Sequence, residues 1–210
     1  MLLNPVLAIL RGVTKEELKE LIKVFFKVGI DTVEITMNTK NCEGLIKLAK
    51  EQSNGELTIG AGTVLEKEQL NKALNAGVEF IVTPVINEKI IKTCVEQNIP
   101  IVPGALTPGE IWKAWCLGAT MVKVFPAGTF GPKYFKDVLG PLDKVKLMAV
   151  GGVNASNSAD YFKAGAKAVA IGGSLITKER LKNNRYDLIE SDLKELLQSV
   201  PKGNRQTLKC

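Results

Sequence analysis

Short runs rich in β-branched and aromatic residues recur along this chain at intervals of roughly 20 to 26 residues, each followed by an amphipathic stretch of helix length, the signature of parallel βα units. Eight such units are counted. Their strands are expected near Val6 to Leu10, Thr32 to Ile35, Thr58 to Ala61, Phe80 to Val82, Ile101 to Val102, Met121 to Phe125, Lys146 to Val150 and Ala168 to Ile171. Eight units in 210 residues leave room only for short loops. The expected fold is therefore α/β, a (β/α)8 TIM barrel forming a single domain over residues 1–201, with its active site at the carboxyl ends of the strands. An open doubly wound sheet is the runner-up; it usually needs about five or six strands, so the extra units argue for closure.

Helix boundaries carry local signals. Thr14 with Glu17, and Thr107 with Glu110, each spell a capping box, and Pro108 fits a first helical position. Gly29, Gly77, Gly118 and Gly165 each close an apolar helical pattern ahead of the next strand, as left-handed caps do. A last helix is expected to open at Asp187, with Glu190 closing its capping box, and to stop before Pro201. The tail over 202–210 is expected to fray.

Composition removes several classes of chemistry. The chain has no histidine, which excludes from it a Ser-His-Asp triad, a Cys-His dyad and any histidine-containing metal site. Cys42, Cys94, Cys116 and Cys210 lack metal-ligand or redox spacing and read as reduced thiols of a cytoplasmic protein. The Leu2 to Leu10 run has no basic segment before it, contains Pro5 and reads as a first strand rather than a signal peptide. No apolar stretch approaches the ~20 residues of a membrane span, so no membrane partner is expected. A net charge of +6 favours an anionic partner. The lysines are spread, as in Lys15, Lys19, Lys23 and Lys27, which reads as a solvated helix face, and no basic stripe with interleaved aromatics suggests nucleic acid.

Two charges nevertheless sit inside apolar strands. Lys123 lies in Met121-Val-Lys-Val-Phe125, and Glu34 in Thr32-Val-Glu-Ile-Thr36. A lone buried ammonium costs several kcal/mol, and desolvation lowers its pKa, leaving a neutral amine able to attack a carbonyl carbon. The bland alternative is a structural ion pair. Strand alternation groups Lys123 with Met121 and Phe125, and Glu34 with Thr32 and Thr36, so both point to the barrel interior. Arg11, ending the first strand, adds a cation at the same rim.

Gly151-Gly152 follows the seventh strand and Gly172-Gly173-Ser174 the eighth, where barrels of this type hold phosphate on backbone N–H groups. Turn chemistry is the plain alternative. Thr63, ending Gly60-Ala-Gly-Thr63, is either a hydrogen-bond donor to a substrate carboxylate or a helix N-cap. Thr83-Pro84 and Pro103-Gly-Ala105 alone indicate only turns.

The segments Val33-Glu-Ile-Thr36, Gly60-Ala-Gly-Thr-Val64, Phe80-Ile-Val-Thr-Pro84, Pro103-Gly-Ala-Leu-Thr-Pro108, Lys123-Val-Phe-Pro126 and Gly151-Gly-Val153, taken in order and spacing, resemble the 2-keto-3-deoxy-6-phosphogluconate / 4-hydroxy-2-oxoglutarate aldolases over nearly the whole chain. That resemblance implies a metal-independent, cofactor-free Schiff-base lyase of the (β/α)8 fold, commonly a homotrimer, that splits a 2-keto-3-deoxy sugar acid phosphate into pyruvate and an aldehyde. It makes Lys123 the Schiff-base lysine and Glu34 the acid/base residue, places Thr63 at the pyruvate carboxylate, and lines the pocket with Phe125 and Pro84. Gly151 and Gly152 with Gly173 and Ser174 are implied to hold the phosphate.

Two positions depart from the phosphogluconate pattern: Asn38 stands where an arginine is often found, and Val150 where a threonine precedes the paired glycines. Leu7-Ala-Ile-Leu-Arg-Gly12, Ala149-Val-Gly-Gly152 and Phe130-Gly-Pro132 are more similar to the branch acting on the C4 epimer, 2-keto-3-deoxy-6-phosphogalactonate. Arg11 would then supply the missing cation. The rival functions are a barrel isomerase or synthase of phosphorylated metabolites, which needs no lysine in the sixth strand, and a non-catalytic phosphosugar-binding barrel.

Overall fold

A computed structural model describes residues 5–201, so the expectations for Cys210 and for a frayed tail over 202–210 lie outside the described residues. Nine parallel strand segments, β1 (Val6–Leu10), β2 (Thr32–Thr36), β3 (Thr58–Gly62), β4 (Phe80–Val82), β5 (Ile101–Val102), β6 (Gly104–Ala105), β7 (Val122–Val124), β8 (Leu147–Val150) and β9 (Ala168–Ile171), form one sheet in the order β5-β4-β3-β2-β1-β9-β8-β7-β6. The expected fifth strand forms as β5 but continues into a second short segment, β6, at Gly104–Ala105, where only a turn is expected. Pro103 has no N–H to donate, which interrupts it between β5 and β6. The two halves nevertheless close the barrel. Val102 O accepts from Thr83 N on the β4 side at 3.2 Å, and Pro103 O accepts from Lys123 N on the β7 side at 2.9 Å. The architecture is thus the expected eight-unit barrel.

Helices α1 (Lys15–Val28), α2 (Cys42–Ser53), α3 (Lys67–Ala76), α4 (Glu88–Glu96), α5 (Pro108–Cys116), α6 (Ala127–Leu139), α7 (Ala155–Lys163), α8 (Lys178–Lys182) and α9 (Tyr186–Ser199) wrap the sheet. Both expected capping boxes form, at Thr14/Glu17 and Thr107/Glu110, with Pro108 opening α5. Gly29, Gly77, Gly118 and Gly165 all adopt positive φ. Lys15, Lys19, Lys23 and Lys27 face solvent, while Leu18, Leu21, Ile22 and Phe25 are buried.

The expected capping box at Asp187 and Glu190 does not form. The last helix starts one residue earlier, at Tyr186, and Arg185 stands at its N-cap with no side-chain cap hydrogen bond. Stronger partners take both carboxylates: Asp187 receives Arg185 Nε at 2.9 Å and Nη2 at 2.8 Å, and Glu190 pairs with Lys27 and Lys194. A charge-assisted, two-point contact outcompetes a backbone cap.

Strand alternation divides the core. Val33, Ile35, Val122 and Val124 join the layer between sheet and helices. Leu7, Phe80, Val82, Val102, Met121, Met148, Val150, Ala168 and Ala170 fill the barrel interior, each 3% exposed or less. This apolar plug forces the interior charges of β2 and β7 toward the open, carboxyl end.

Candidate active site

A cavity of about 660 Å³ opens at that end and is lined by Arg11, Thr63, Pro84, Lys123, Phe125, Val150, Gly151, Gly152, Gly173 and Ser174, among others. Ten of the twelve residues singled out in the sequence therefore share one wall. The other two touch it indirectly. Glu34 lies behind the lining, 1% exposed, and Asn38 is exposed at the rim with its Oδ1 accepting from Arg11 Nη1 at 3.2 Å.

Lys123 is 6% exposed, and its Nζ stands 5.2 Å from the centre of the Phe125 ring. Burial pushes its pKa down, and the Arg11 charge pushes the same way, while Glu34 opposes both. Burial pushes the Glu34 pKa up against the smaller pull of Lys123 and Arg11. Each group is thus biased toward its neutral form, a lysine able to attack and a carboxyl able to donate. Glu34 Oε2 has no hydrogen-bond partner among the described residues. A satisfied structural ion pair would not leave that oxygen unbonded, which weighs against the bland reading.

Arg11 Nη2 also donates to Thr63 Oγ1 at 3.2 Å. Thr63 does not cap a helix: Glu66 is the N-cap of α3, and Thr63 adopts a left-handed φ of 58°. Its hydroxyl instead stands at the cavity wall beside Arg11. Val150 sits at the end of β8, 3% exposed, and offers the cavity only methyl groups.

Gly151 and Gly152 adopt φ of 90° and 77°, and a Cβ at Gly152 would lie 3.1 Å from Gly128 Cα. Gly173 is different, since a Cβ there would meet nothing within 4 Å. Among the described residues no backbone acceptor takes the N–H of Gly152, Gly173 or Ser174. Such unpaired amides suit an anion. The Ser174 hydroxyl is committed to Val153 O at 2.6 Å, so Ser174 offers its amide rather than its donor proton.

Sequence reading missed Gly62. Paired with Thr36 across β2 and β3, it leaves the hole in which the Glu34 carboxyl lies. Gly60, two residues earlier on the same face, makes equivalent room for the Phe80 ring. The signal was the Gly-x-Gly alternation, which puts two absent side chains on the interior face.

The match to the model of the KDPG and KHG aldolases spans residues 1–191. The chain belongs to that family. Its curated relatives include the 2-dehydro-3-deoxy-6-phosphogalactonate aldolase of Escherichia coli K12, 35% identical over 81% of this chain and 84% of that protein. The 2-dehydro-3-deoxy-phosphogluconate aldolase of Haemophilus influenzae is 36% identical over 83% of this chain and 82% of its own length. Among solved structures, a native KDPGal structure superposes with a TM-score of 0.86 at 31% identity, covering 93% of both chains. The KDPG aldolase of Legionella pneumophila, solved with pyruvate captured as a covalent carbinolamine, superposes with a TM-score of 0.84 at 25% identity, covering 92% of this chain and 94% of that one.

Proposed function

We propose that this chain is a class I aldolase that cleaves a 2-keto-3-deoxy sugar acid 6-phosphate to pyruvate and glyceraldehyde 3-phosphate. The observation that carries this reading is Lys123: a nearly buried amine on the wall of the cavity at the carboxyl end of the barrel, biased toward neutrality and backed by an unbonded carboxyl oxygen. Neutral Lys123 attacks the substrate C2 carbonyl, and Glu34 carries protons as the carbinolamine loses water. The iminium draws electrons from the C3–C4 bond while Glu34 accepts the C4 hydroxyl proton. The aldehyde leaves, the enamine is protonated at C3, and hydrolysis returns pyruvate and free lysine.

The unpaired amides of Gly152, Gly173 and Ser174 support a phosphate subsite, and Thr63 with Arg11 supports recognition of an anionic group nearer the lysine. Both C4 epimers belong to the proposed substrate class. Val150 presents no hydrogen-bond donor where a threonine would, and this favours the galactonate-derived epimer at least equally with the gluconate-derived one. 4-Hydroxy-2-oxoglutarate is a further proposed substrate. Pyruvate release from the three compounds, measured side by side, tests the assignment.

A homotrimer is part of the same proposal. Val85, Trp112 and Phe130 are 53%, 49% and 50% exposed, large apolar surfaces that association would cover. Light scattering on the purified protein reads the mass. Three free cysteines among the described residues support a reducing, cytoplasmic setting. No described helix is long and apolar enough to cross a membrane.

A further inference from the structure

Asn38 and Thr39 follow β2 within three residues and hold the end of β1 by side chain and by backbone. Asn38 Oδ1 accepts from the Arg11 guanidinium at 3.2 Å, and Thr39 Oγ1 accepts the N–H of Gly12, the next residue, at 2.9 Å. Thr39 is further tied to Thr36 by a hydroxyl contact of 2.9 Å. Thr36 lies on the same strand face as Glu34, so a chain of hydrogen bonds joins the Arg11 turn to the Glu34 strand.

Both acceptors of the Arg11 side chain, Asn38 Oδ1 and Thr63 Oγ1, are neutral. Among the described residues no carboxylate forms an ion pair with it. Arginine without a carboxylate keeps its bidentate capacity for an incoming anion. Asn38 is exposed and does not line the cavity, so its reach into the site runs through Arg11.

We propose that Asn38 is a positioning residue: its neutral amide aims Arg11 at the cavity and leaves that charge uncompensated for an anionic group of the substrate and for the Lys123–Glu34 pair. For the identity of the substrate this rests on the aldolase reading. The charges acting on Lys123 are Glu34 from β2 and Arg11 from the end of β1, while Lys178, beyond β9, lines the same cavity. Arg11 lowers the pKa of both Lys123 and Glu34, so neutralising it raises both.

The test compares wild type, Asn38→Asp and Asn38→Ala. Aspartate has the size of asparagine and would pair with Arg11; alanine only releases it. One arm needs no substrate: the full-length protein is acetylated with acetic anhydride across a pH series, and peptide mass spectrometry follows the Lys123 peptide. Asn38→Asp should move the Lys123 midpoint upward by about half a unit or more, and Asn38→Ala by less. The second arm measures Kd for pyruvate from borohydride trapping and KM for the phosphorylated substrates. Asn38→Asp should raise these by about tenfold with kcat nearly retained above the new midpoint, the pattern of lost uniform binding. A loss already seen with pyruvate assigns Arg11 to the carboxylate, and one confined to phosphorylated substrates assigns it to the phosphate. Unchanged midpoint and unchanged binding in Asn38→Asp, with or without a change in Tm, overturn the proposal. If wild type neither traps pyruvate nor cleaves substrate while the midpoint still shifts, the aldolase reading fails and the positioning role stands.

Discussion

The Glu34 carboxyl occupies the place where a side chain at Gly62 would start: a Cβ built there comes within 1.5 Å of Glu34 Oε1 and 2.1 Å of Cδ. The Gly62 backbone is not in the left-handed region, so the glycine is required by contact alone. Gly62→Ala should therefore displace the carboxyl without breaking the strand. Because misplacement by about 1 Å can cost about 10²-fold, kcat should fall by that order while the Lys123 adduct with pyruvate still forms. Steady-state kinetics with borohydride trapping decide it, and a variant as fast as wild type would remove Glu34 geometry from the mechanism.

Incubation with pyruvate and borohydride should leave a reduced adduct on the peptide carrying Lys123, and Lys123→Met should abolish both adduct and cleavage. Stability offers an independent readout. The folded-state pKa of Lys123 lies below its usual 10.5, so between those two values the unfolded chain binds more protons and stability rises with pH. Urea unfolding across that window should show wild type gaining on Lys123→Met as pH climbs. An adduct on another lysine would end the Schiff-base assignment.

Glu34→Gln keeps the shape of the side chain and removes its proton chemistry. We expect kcat to drop by roughly 10²–10⁴, the usual share of a general acid/base. The folded pKa of Glu34 is raised, so as pH rises above 4.5 the folded state loses stability that the amide keeps. The variant should then unfold no more easily than wild type at neutral pH. Loss of fold with full activity per folded molecule would favour a structural ion pair instead.

A side chain at Gly173 meets no protein atom within 4 Å, and its φ is not positive. Gly173→Val should change stability by no more than about 0.5 kcal/mol. Its methyl groups would project where the unpaired amides meet an anion. KM for the phosphorylated substrates should rise far more than KM for 4-hydroxy-2-oxoglutarate, which has no phosphate. Equal losses on both would move the phosphate subsite elsewhere.

Val150→Thr places a hydroxyl on the cavity wall at the end of β8. A hydrogen bond gained or lost in a site poor in water is worth ~1–3 kcal/mol, enough to change the preference between C4 epimers by tenfold or more. The ratio of kcat/KM values should move toward the gluconate-derived substrate. Kinetics on both pure epimers measure it; a ratio that stays put would clear position 150 of any part in stereochemistry.

Local rules carried the sequence reading a long way. β1, β4, β5 and β9 fall on the expected residues, and the Thr14 and Thr107 capping boxes form, because strand periodicity and caps depend on neighbours a few residues apart. Alternation alone also turned Lys123 and Glu34 inward. What escaped depends on partners far along the chain. Arg185 draws Asp187 from a cap, Lys27 draws Glu190, and Asn38 touches the site through Arg11, 27 positions away. The short helix α8 went unseen, as did the strand resuming at Gly104–Ala105 beyond Pro103, a stretch whose proline and glycine indicated only a turn.

The dry plug below Lys123 makes the cavity mouth a single doorway. With Leu7, Phe80, Met121 and Met148 closing the floor, the described residues leave Lys123 open only toward the cavity that the substrate would enter. In the proposed reaction the water that frees pyruvate cannot arrive from behind. The covalent bond to Lys123 lets the aldehyde go first and pyruvate last, and both products share that one doorway, which in reverse admits pyruvate before the aldehyde it will join.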